Sequence, residues 1–312
     1  MNAKEQQFWV LTMIFGLALL MGCAQEKTNP IQAELLAPEI VSSAAPEFAT
    51  TVSADGKELF FTRSSEDRSI MWIMRSALEN GQWSMPESVN FSTGEFRDVD
   101  PFLSKDGQRL YFSSIRPRFE GDTLMDFDTW YVDRTPTGWS EPINAGAPLN
   151  AKGSDIFITI ADNGNAYFVS ERFEKRGIVS IPINATEQTA ELLDLRLYGE
   201  PYYSSNPCIA SYDSFMITAV RPPGREDPDL YIAFNLSGKW TELQSLGPKV
   251  NSAYADFAPG LSKDNTILYF SSERPGVVGE QQEGIRPPGD LYSIELKSLL
   301  KEIKESLPES MP

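Results

Sequence analysis

Residues 111–118 read Tyr-Phe-Ser-Ser-Ile-Arg-Pro-Arg, and residues 269–276 read Tyr-Phe-Ser-Ser-Glu-Arg-Pro-Gly. Nearly the same phrase therefore stands in both halves of the 312-residue chain. Weaker versions end at three further arginines, which makes five in all: Arg63, Arg116, Arg172, Arg221 and Arg274. Repetition of this kind indicates a repeat architecture rather than a catalytic motif that is used twice.

Each phrase follows a tight-turn pair, and these pairs recur roughly every 50 residues. They are Asp55-Gly56, Asp106-Gly107, Asn163-Gly164, Asp213-Ser214 and Asp264-Asn265. Asp-Gly and Asn-Gly pairs favour positive φ and close short hairpins. A strand A precedes each turn, and its opening residues are Glu47, Asp98, Asp155, Ser205 and Asp256. An apolar, aromatic strand B follows the turn and ends at the arginine.

Two further strands complete each unit. Strand C begins at Asp128, Asp229 and Asp290, and a turn before Trp83, Trp139 or Trp240 begins strand D. Four short antiparallel strands per unit are typical of a propeller blade. The fifth unit supplies three strands, and residues 36–43 resemble the segments that follow strand D elsewhere. The sequence thus predicts an all-β chain with one five-bladed propeller over residues 34–297, whose last blade is closed by the N-terminal strand.

The units resemble the WD40-like propeller repeats of TolB-type periplasmic proteins. The resemblance rests on the turn after strand A, the Phe-Ser-Ser-x-Arg-Pro stretch, and the Asp-Leu-Tyr or Asp-Thr-Trp of strand C. It covers nearly all of the chain after the leader and implies the fold, while a shared propeller fold says little about function. TolB carries a separate N-terminal domain, and only the short stretch 24–33 is expected in that place here.

The N-terminus resembles a bacterial lipoprotein leader. Residues 8–21 form an apolar run, and Leu20-Met21-Gly22-Cys23 matches the lipobox, in which a small residue precedes a lipidated cysteine. Such a run is too short for a transmembrane helix and suits a signal peptide. We therefore expect a signal peptide over residues 1–23, a lipid on Cys23, a linker over 24–33, and anchoring in the bacterial envelope at the outer membrane. The alternative is an ordinary secretory signal.

Composition restricts the chemistry. The chain has no histidine, which removes Ser-His-Asp and Cys-His catalysis and His-ligated zinc. Its formal net charge of −17 repels phosphate backbones, so nucleic acid is not an expected partner. Besides Cys23 there is one cysteine, Cys208, which we expect to be a small buried apolar residue. Residues 298–312 have helical apolar spacing and predict a short helix and tail.

The repeated charged residues have two interpretations. A guanidinium between carboxylates would fasten a blade, and this structural role is expected for Arg63, Arg172, Asp155, Asp128, Asp229 and Asp290. Other repeated charged residues are expected at the rim of the central channel or at the start of long loops of unequal length, where binding residues concentrate. These ligand-binding candidates are Arg116, Arg221, Arg274, Asp98, Asp100, Asp256 and the aromatic pair Tyr202 and Tyr203.

The sequence leaves three functions open. The first is a non-catalytic binding or scaffold module that engages an envelope protein, a peptide or a glycan through the face formed by the B–C and D–A connections. The second is a carbohydrate-active, glycosidase-like enzyme that uses carboxylates at the channel rim. The third places Ca²⁺ among those carboxylates. No residue is assigned as catalytic, and no cofactor other than this calcium is expected.

Overall fold

A computed structural model of the chain describes residues 32–185, 190–279 and 287–305. Cys23 and most of the expected linker lie outside the described residues. Five antiparallel sheets follow one another along the chain and form the five blades of a propeller, which confirms the predicted fold. In each sheet strand A pairs with strand B, and strand B pairs with strand C.

Blades 1 and 2 each have a long third strand with two short partners. Blade 1 contains β2 (Glu47–Val52), β3 (Glu58–Ser64), β4 (Met71–Glu79), β5 (Gln82–Trp83) and β6 (Glu87–Ser88). Blade 2 contains β7 (Asp98–Leu103), β8 (Arg109–Ser114), β9 (Asp128–Thr135), β10 (Gly138–Trp139) and β11 (Ile143–Asn144). In both blades the two short strands pair with the third strand.

Blades 3 and 4 are separated by an additional hairpin. Blade 3 contains β12 (Asp155–Ile160), β13 (Asn165–Ser170), β14 (Gly177–Pro182) and β15 (Glu191–Leu192). The hairpin is β16 (Arg196–Leu197) with β17 (Glu200–Pro201). Blade 4 contains β18 (Ser205–Ile209), β19 (Phe215–Val220), β20 (Asp229–Leu236), β21 (Lys239–Trp240) and β22 (Gln244–Ser245).

Blade 5 joins the two ends of the described chain. It contains β23 (Asp256–Leu261), β24 (Ile267–Ser272) and β25 (Asp290–Glu295), and its fourth strand is β1 (Glu34–Leu35). Glu34 lies opposite Ser293 and Leu35 opposite Tyr292. The pairing residues lie just before the predicted segment 36–43, because Ala37 and Glu39 have positive φ and turn the chain away from the strand.

Strand B forms the core of every blade. Phe61, Phe112, Phe168 and Phe270 are completely buried at equivalent places in β3, β8, β13 and β24. Strand B of blade 4 is buried at all six of its positions. Neighbouring blades cover both faces of these strands, which explains why their sequences are continuous apolar runs rather than alternating ones.

A β-bulge interrupts strand A in all five blades. The residues with left-handed φ are Ala49, Asp100, Phe157, Asn206 and Ala258. The extra residue shifts the pairing register, so Asp155 lies opposite Ser170 and not opposite Arg172 as simple counting from the turn predicts. The arginine still reaches the carboxylate because its long side chain extends past this shift.

Two lysines lie at the end of the channel that the A–B turns form. The Lys263 Nζ donates to the carbonyl of Leu103 at 2.9 Å. Blades 5 and 2 are not neighbours in a ring of five, so this side chain crosses the channel. Lys105 forms a 2.5 Å ion pair with Asp162 beside it. Burial lowers the pKa of Lys263 to about 8, and a cavity of about 60 Å³ remains inside the channel.

One helix follows the last strand. Helix α1 (Leu296–Glu305) begins directly after β25 and buries Leu296, Leu299 and Ile303 against blades 4 and 5. Its polar residues face away from this core, as the helical spacing in the sequence indicates. Within the described residues, no helix has the length and apolarity needed to cross a membrane.

Candidate functional site

Four of the five repeated arginines form ion pairs with the acid that opens strand A. The pairs are Arg63–Glu47 at 2.8 Å, Arg116–Asp98 at 2.6 Å, Arg172–Asp155 at 2.9 Å and Arg274–Asp256 at 2.6 Å. All four carboxylates have no exposed surface. We call this arrangement the blade lock, because charge-assisted contacts of this kind are stronger than neutral hydrogen bonds.

The blade lock also holds the segment that enters the blade. Arg172 donates to the carbonyls of Pro148 at 2.9 Å and Leu149 at 2.5 Å. Arg116 donates to the carbonyl of Phe91 at 2.9 Å, and Arg274 donates to that of Val250. Each guanidinium therefore joins the end of strand B, the start of strand A and the connection that precedes strand A.

Burial and pairing act in opposite directions on the locked acids. Burial raises the pKa of Asp98 and of Asp155, while the adjacent arginines and serine hydroxyls oppose the increase. Burial likewise raises the pKa of Glu47. The arginine is one of the groups that favour the charged form of these carboxylates.

The acids that open strand C are not members of the blade lock. Asp128 accepts a hydrogen bond from Asn144 Nδ2 at 2.8 Å, and Asp229 lies 3.3 Å from Arg225. Asp290 accepts a hydrogen bond from the backbone N–H of Val277 at 3.1 Å, and burial raises its pKa to about 7. Asp229 and Asp290 therefore contact the loop that precedes strand C in their own blades, while Asp128 contacts β11, which follows strand C.

Blade 4 departs from this pattern in the described structure. In the other four blades the opening acid stands two residues before the bulge, and in blade 4 that position is Ser204, which is buried. In blades 2, 3 and 5 the arginine stands two residues after the end of strand B, and in blade 4 that position is Pro222. Arg221 stands one residue earlier and takes no part in a lock.

The one-residue difference changes the direction of the Arg221 side chain. Successive side chains of an extended segment point to opposite sides, so Arg221 faces away from the lock position. Arg221 is exposed, and its Nε donates to the carbonyl of Glu226 at 3.0 Å. The Tyr202 hydroxyl donates to the Arg221 carbonyl at 2.7 Å and so holds the backbone at Arg221 in place.

Arg221 lines a cleft of about 440 Å³ that spans blades 4, 5 and 1. We call it the blade-4 cleft. Its other principal lining residues are Arg68, Tyr203, Asn206, Glu226, Asp227, Phe257 and Glu273. Most of these residues belong to B–C or D–A connections, so the cleft lies on the face that carries the unequal loops. Asn206, the bulge residue of blade 4, brings the cleft to the mouth of the channel.

Glu273 and Arg221 occupy the same position in neighbouring blades. Each is the first residue after strand B, and both line the blade-4 cleft. Arg68 reaches Glu273 from the B–C loop of blade 1 and forms an ion pair of 2.8 Å, although the side chain of Glu273 is only 9% exposed. This contact fixes the wall of the cleft where the first and last blades meet.

The structure places the remaining candidates apart from this cleft. Asp98 and Asp256, with Arg116 and Arg274, lie in blade locks. Asp100 lies in the channel at a bulge, and burial raises its pKa to about 7. Within residues 32–185, 190–279 and 287–305, no group of three or more acidic or thiol side chains is placed to hold a metal. Calcium binding stays a prediction.

Sequence reasoning identified Arg221 and Tyr203 but missed Arg68, Asn206, Glu226 and Glu273. The sequence did contain one signal that pointed to Glu273. The residue after strand B varies between blades as Ile115, Glu171, Arg221 and Glu273, while its neighbours repeat. The contact between Arg68 and Glu273 had no such signal, because it joins positions 205 residues apart.

Solved structures share the fold at very low sequence identity. The chain is similar to a putative TolB from Agrobacterium tumefaciens, with a TM-score of 0.47 and 13% identity over 80% of this chain and 90% of that one. It is also similar to the catalytic domain of the Coprinopsis cinerea GH62 α-L-arabinofuranosidase, with a TM-score of 0.53 and 10% identity over 85% and 96% of the two chains. A GH62 hydrolase in complex with xylotriose has a TM-score of 0.51 and 8% identity over 84% and 96%.

The two GH62 similarities support the propeller fold and nothing finer, because one fold carries many functions. No protein-family model matches the chain. No curated protein matches it in sequence.

Proposed function

We propose that this chain is a non-catalytic binding module of the bacterial cell envelope, which engages a protein, peptide or glycan of the envelope through the blade-4 cleft. The observation that carries the proposal is the departure of blade 4 from the blade lock. Four blades use their arginine to hold a buried acid, while blade 4 directs Arg221 into an open cleft. A residue that differs in one blade of a repeat calls for an explanation other than the common fold.

The state of the opening acids argues against the enzymatic alternative. A glycosidase needs two carboxyl groups that reach the sugar, one as acid and one as nucleophile or base. Asp98 and Asp256 have no exposed surface and are each held by an arginine. The blade-4 cleft is lined by Glu226, Asp227 and Glu273, and there Arg68 forms an ion pair with Glu273.

Replacing Arg221 with alanine is expected to reduce ligand binding at least about tenfold, because a guanidinium that contacts a ligand contributes more than about 1.4 kcal/mol. The measurement is binding of the purified chain to glycan and peptide arrays, followed by titration of each ligand that is found. Circular dichroism is expected to show an unchanged fold, since Arg221 is exposed and lies outside the lock.

Arg176→Ala is the matched control for this experiment. Arg176 is 42% exposed and lies in the B–C connection of blade 3, where it contacts Glu171 and not the cleft. Its loss is expected to leave binding unchanged. Hydrolysis of an oligosaccharide that disappears in Asp98→Asn or Asp256→Asn would instead support the enzymatic reading and contradict this proposal.

The proposed location rests on the leader sequence. Cys23 would carry the lipid, hold the propeller at the outer membrane and leave the loops available to partners. We expect Cys23→Ser to move the chain from the membrane fraction to the soluble fraction of the envelope. Equal amounts of wild type and variant in the membrane fraction would contradict lipid anchoring.

A further inference from the structure

Charges of both signs meet in the blade-4 cleft. Arg68 and Arg221 contribute two guanidinium groups, and Glu226, Asp227 and Glu273 contribute three carboxylates. A strongly anionic ligand would lie against the carboxylates, and a cationic ligand would lie against the arginines. A neutral ligand that both donates and accepts hydrogen bonds meets suitable partners on every side, because guanidinium groups only donate and carboxylates only accept.

The two neighbouring tyrosines have different environments. Tyr202 is committed to the fold by its hydroxyl, which donates to the Arg221 carbonyl at 2.7 Å. Tyr203 lines the cleft and is 45% exposed, and the ring of Phe257 lines the same cleft. Aromatic rings offer a flat apolar surface that suits the C–H face of a sugar ring, while the rim of such a ring carries hydroxyl groups.

The orientation of Arg221 is set before a ligand arrives. Its Nε is held by the carbonyl of Glu226, and its own carbonyl is held by Tyr202. Arg68 is likewise held by Glu273 at 2.8 Å. Preorganised donors lose little conformational freedom on binding, which favours recognition of uncharged hydroxyl groups.

The size and position of the cleft suit a short saccharide. A volume of about 440 Å³ lies within the range of small-molecule sites. Lys263 and Lys105 lie at the opposite end of the channel, and the cleft opens at the loop face.

We infer that the blade-4 cleft binds a neutral carbohydrate, with Arg68, Arg221 and the cleft carboxylates as hydrogen-bond partners and Tyr203 as the stacking ring. This inference rests on the proposed function and names its ligand class. A peptide would be better served by apolar pockets for its side chains, whereas the lining of this cleft is mainly charged and polar.

The experiment uses probes of matched length that differ in charge. Saturation-transfer NMR of the purified chain would be recorded with four neutral trisaccharides, namely cellotriose, xylotriose, maltotriose and mannotriose. Trigalacturonic acid, the cationic glucosamine trimer and trialanine are the charged and zwitterionic comparisons. At least one neutral sugar is expected to bind, and Arg221→Ala and Tyr203→Ala are each expected to weaken it at least about tenfold, while Arg176→Ala leaves it unchanged.

The outcomes separate the ligand class from the site. Tighter binding of a charged trisaccharide than of every neutral one, or no binding of any neutral sugar at millimolar concentration, overturns the inference. If trialanine binds and Arg221→Ala abolishes this binding, the assignment of a carbohydrate ligand is overturned, while the proposed binding function at the cleft stands. Sugar binding that persists in both Arg221→Ala and Tyr203→Ala places the ligand elsewhere and removes the proposed site itself.

Discussion

Replacing Arg172 with alanine is expected to lower the free energy of unfolding by about 3–5 kcal/mol, the usual cost of removing one partner of a buried ion pair. Asp155 has no exposed surface, and without Arg172 its carboxyl group would lose its guanidinium partner inside the protein. The carbonyls of Pro148 and Leu149 would lose their donor at the same time. Urea unfolding followed by tryptophan fluorescence measures the change.

The pH dependence of this variant adds a second check. Burial already raises the pKa of Asp155 while Arg172 opposes the increase, so removing Arg172 raises the pKa further. The folded variant then binds a proton more readily than the unfolded chain does. Its loss of stability relative to wild type is therefore expected to be largest above neutral pH and to shrink as the pH falls toward 4.

Arg221→Ala is the internal control for the blade lock. Arg221 follows strand B in blade 4, but it is exposed and its Nε donates to the carbonyl of Glu226 rather than to a buried acid. Its replacement is expected to change the free energy of unfolding by no more than about 0.5 kcal/mol. A loss below about 1 kcal/mol in Arg172→Ala, or equal losses in the two variants, would show that the lock does not stabilise the blades as inferred.

Replacing Asp100 with asparagine is expected to stabilise the protein by about 2–4 kcal/mol at pH 8. Burial raises the pKa of this carboxyl from 3.8 to about 7 in the folded chain, and each pKa unit corresponds to about 1.4 kcal/mol. Asparagine carries no charge and tolerates the left-handed φ of 56° at this bulge. The chain itself places Asn206 at the equivalent bulge of blade 4, with a φ of 51°.

The sign of the pH effect follows from the raised pKa. The folded state holds the Asp100 proton more tightly than the unfolded chain, so this group contributes stability at low pH and loses it as the pH rises from about 4 to about 7. Asp290 acts in the same direction, because its pKa is also raised to about 7. Comparing unfolding of wild type and Asp100→Asn at pH 4 and pH 8 isolates the contribution of Asp100.

The free energies of unfolding of wild type and Asp100→Asn are expected to differ little at pH 4 and most at pH 8. A variant that is less stable than wild type at pH 8 would contradict the assignment of Asp100 as a destabilising charge. It would indicate instead that the carboxylate has a favourable partner in the channel, such as a bound cation.

The local signals in the sequence were sufficient for the fold. Turn pairs such as Asp106-Gly107 mark hairpins, and runs of consecutive apolar residues, Leu-Tyr-Phe in both β8 and β24, mark the buried strands. Each of these features depends only on neighbouring residues, and their fivefold repetition predicted the number of blades. The closing of blade 5 by the N-terminal strand followed from the missing fourth strand of the last unit.

The candidate site was only partly predictable. The sequence shows an arginine at the end of every strand B, but it does not show that Arg221 stands one place before the lock position. The β-bulge and the end of β19 decide this, and both are visible only in the pairing register. Because of this one-residue difference, four of the five repeated arginines are structural and Arg221 faces the blade-4 cleft.

By itself the sequence determined the all-β repeat, the number of blades, the absence of histidine chemistry and the residue types that meet at the ends of strands A and B. These properties depend on local conformational preference and composition, which the chain carries at every position. Only the tertiary structure decided which charges are buried and which remain accessible. Glu273 and Arg68 meet because closing the ring brings blades 5 and 1 together, and Arg221 points into the cleft because an extended chain alternates its side chains.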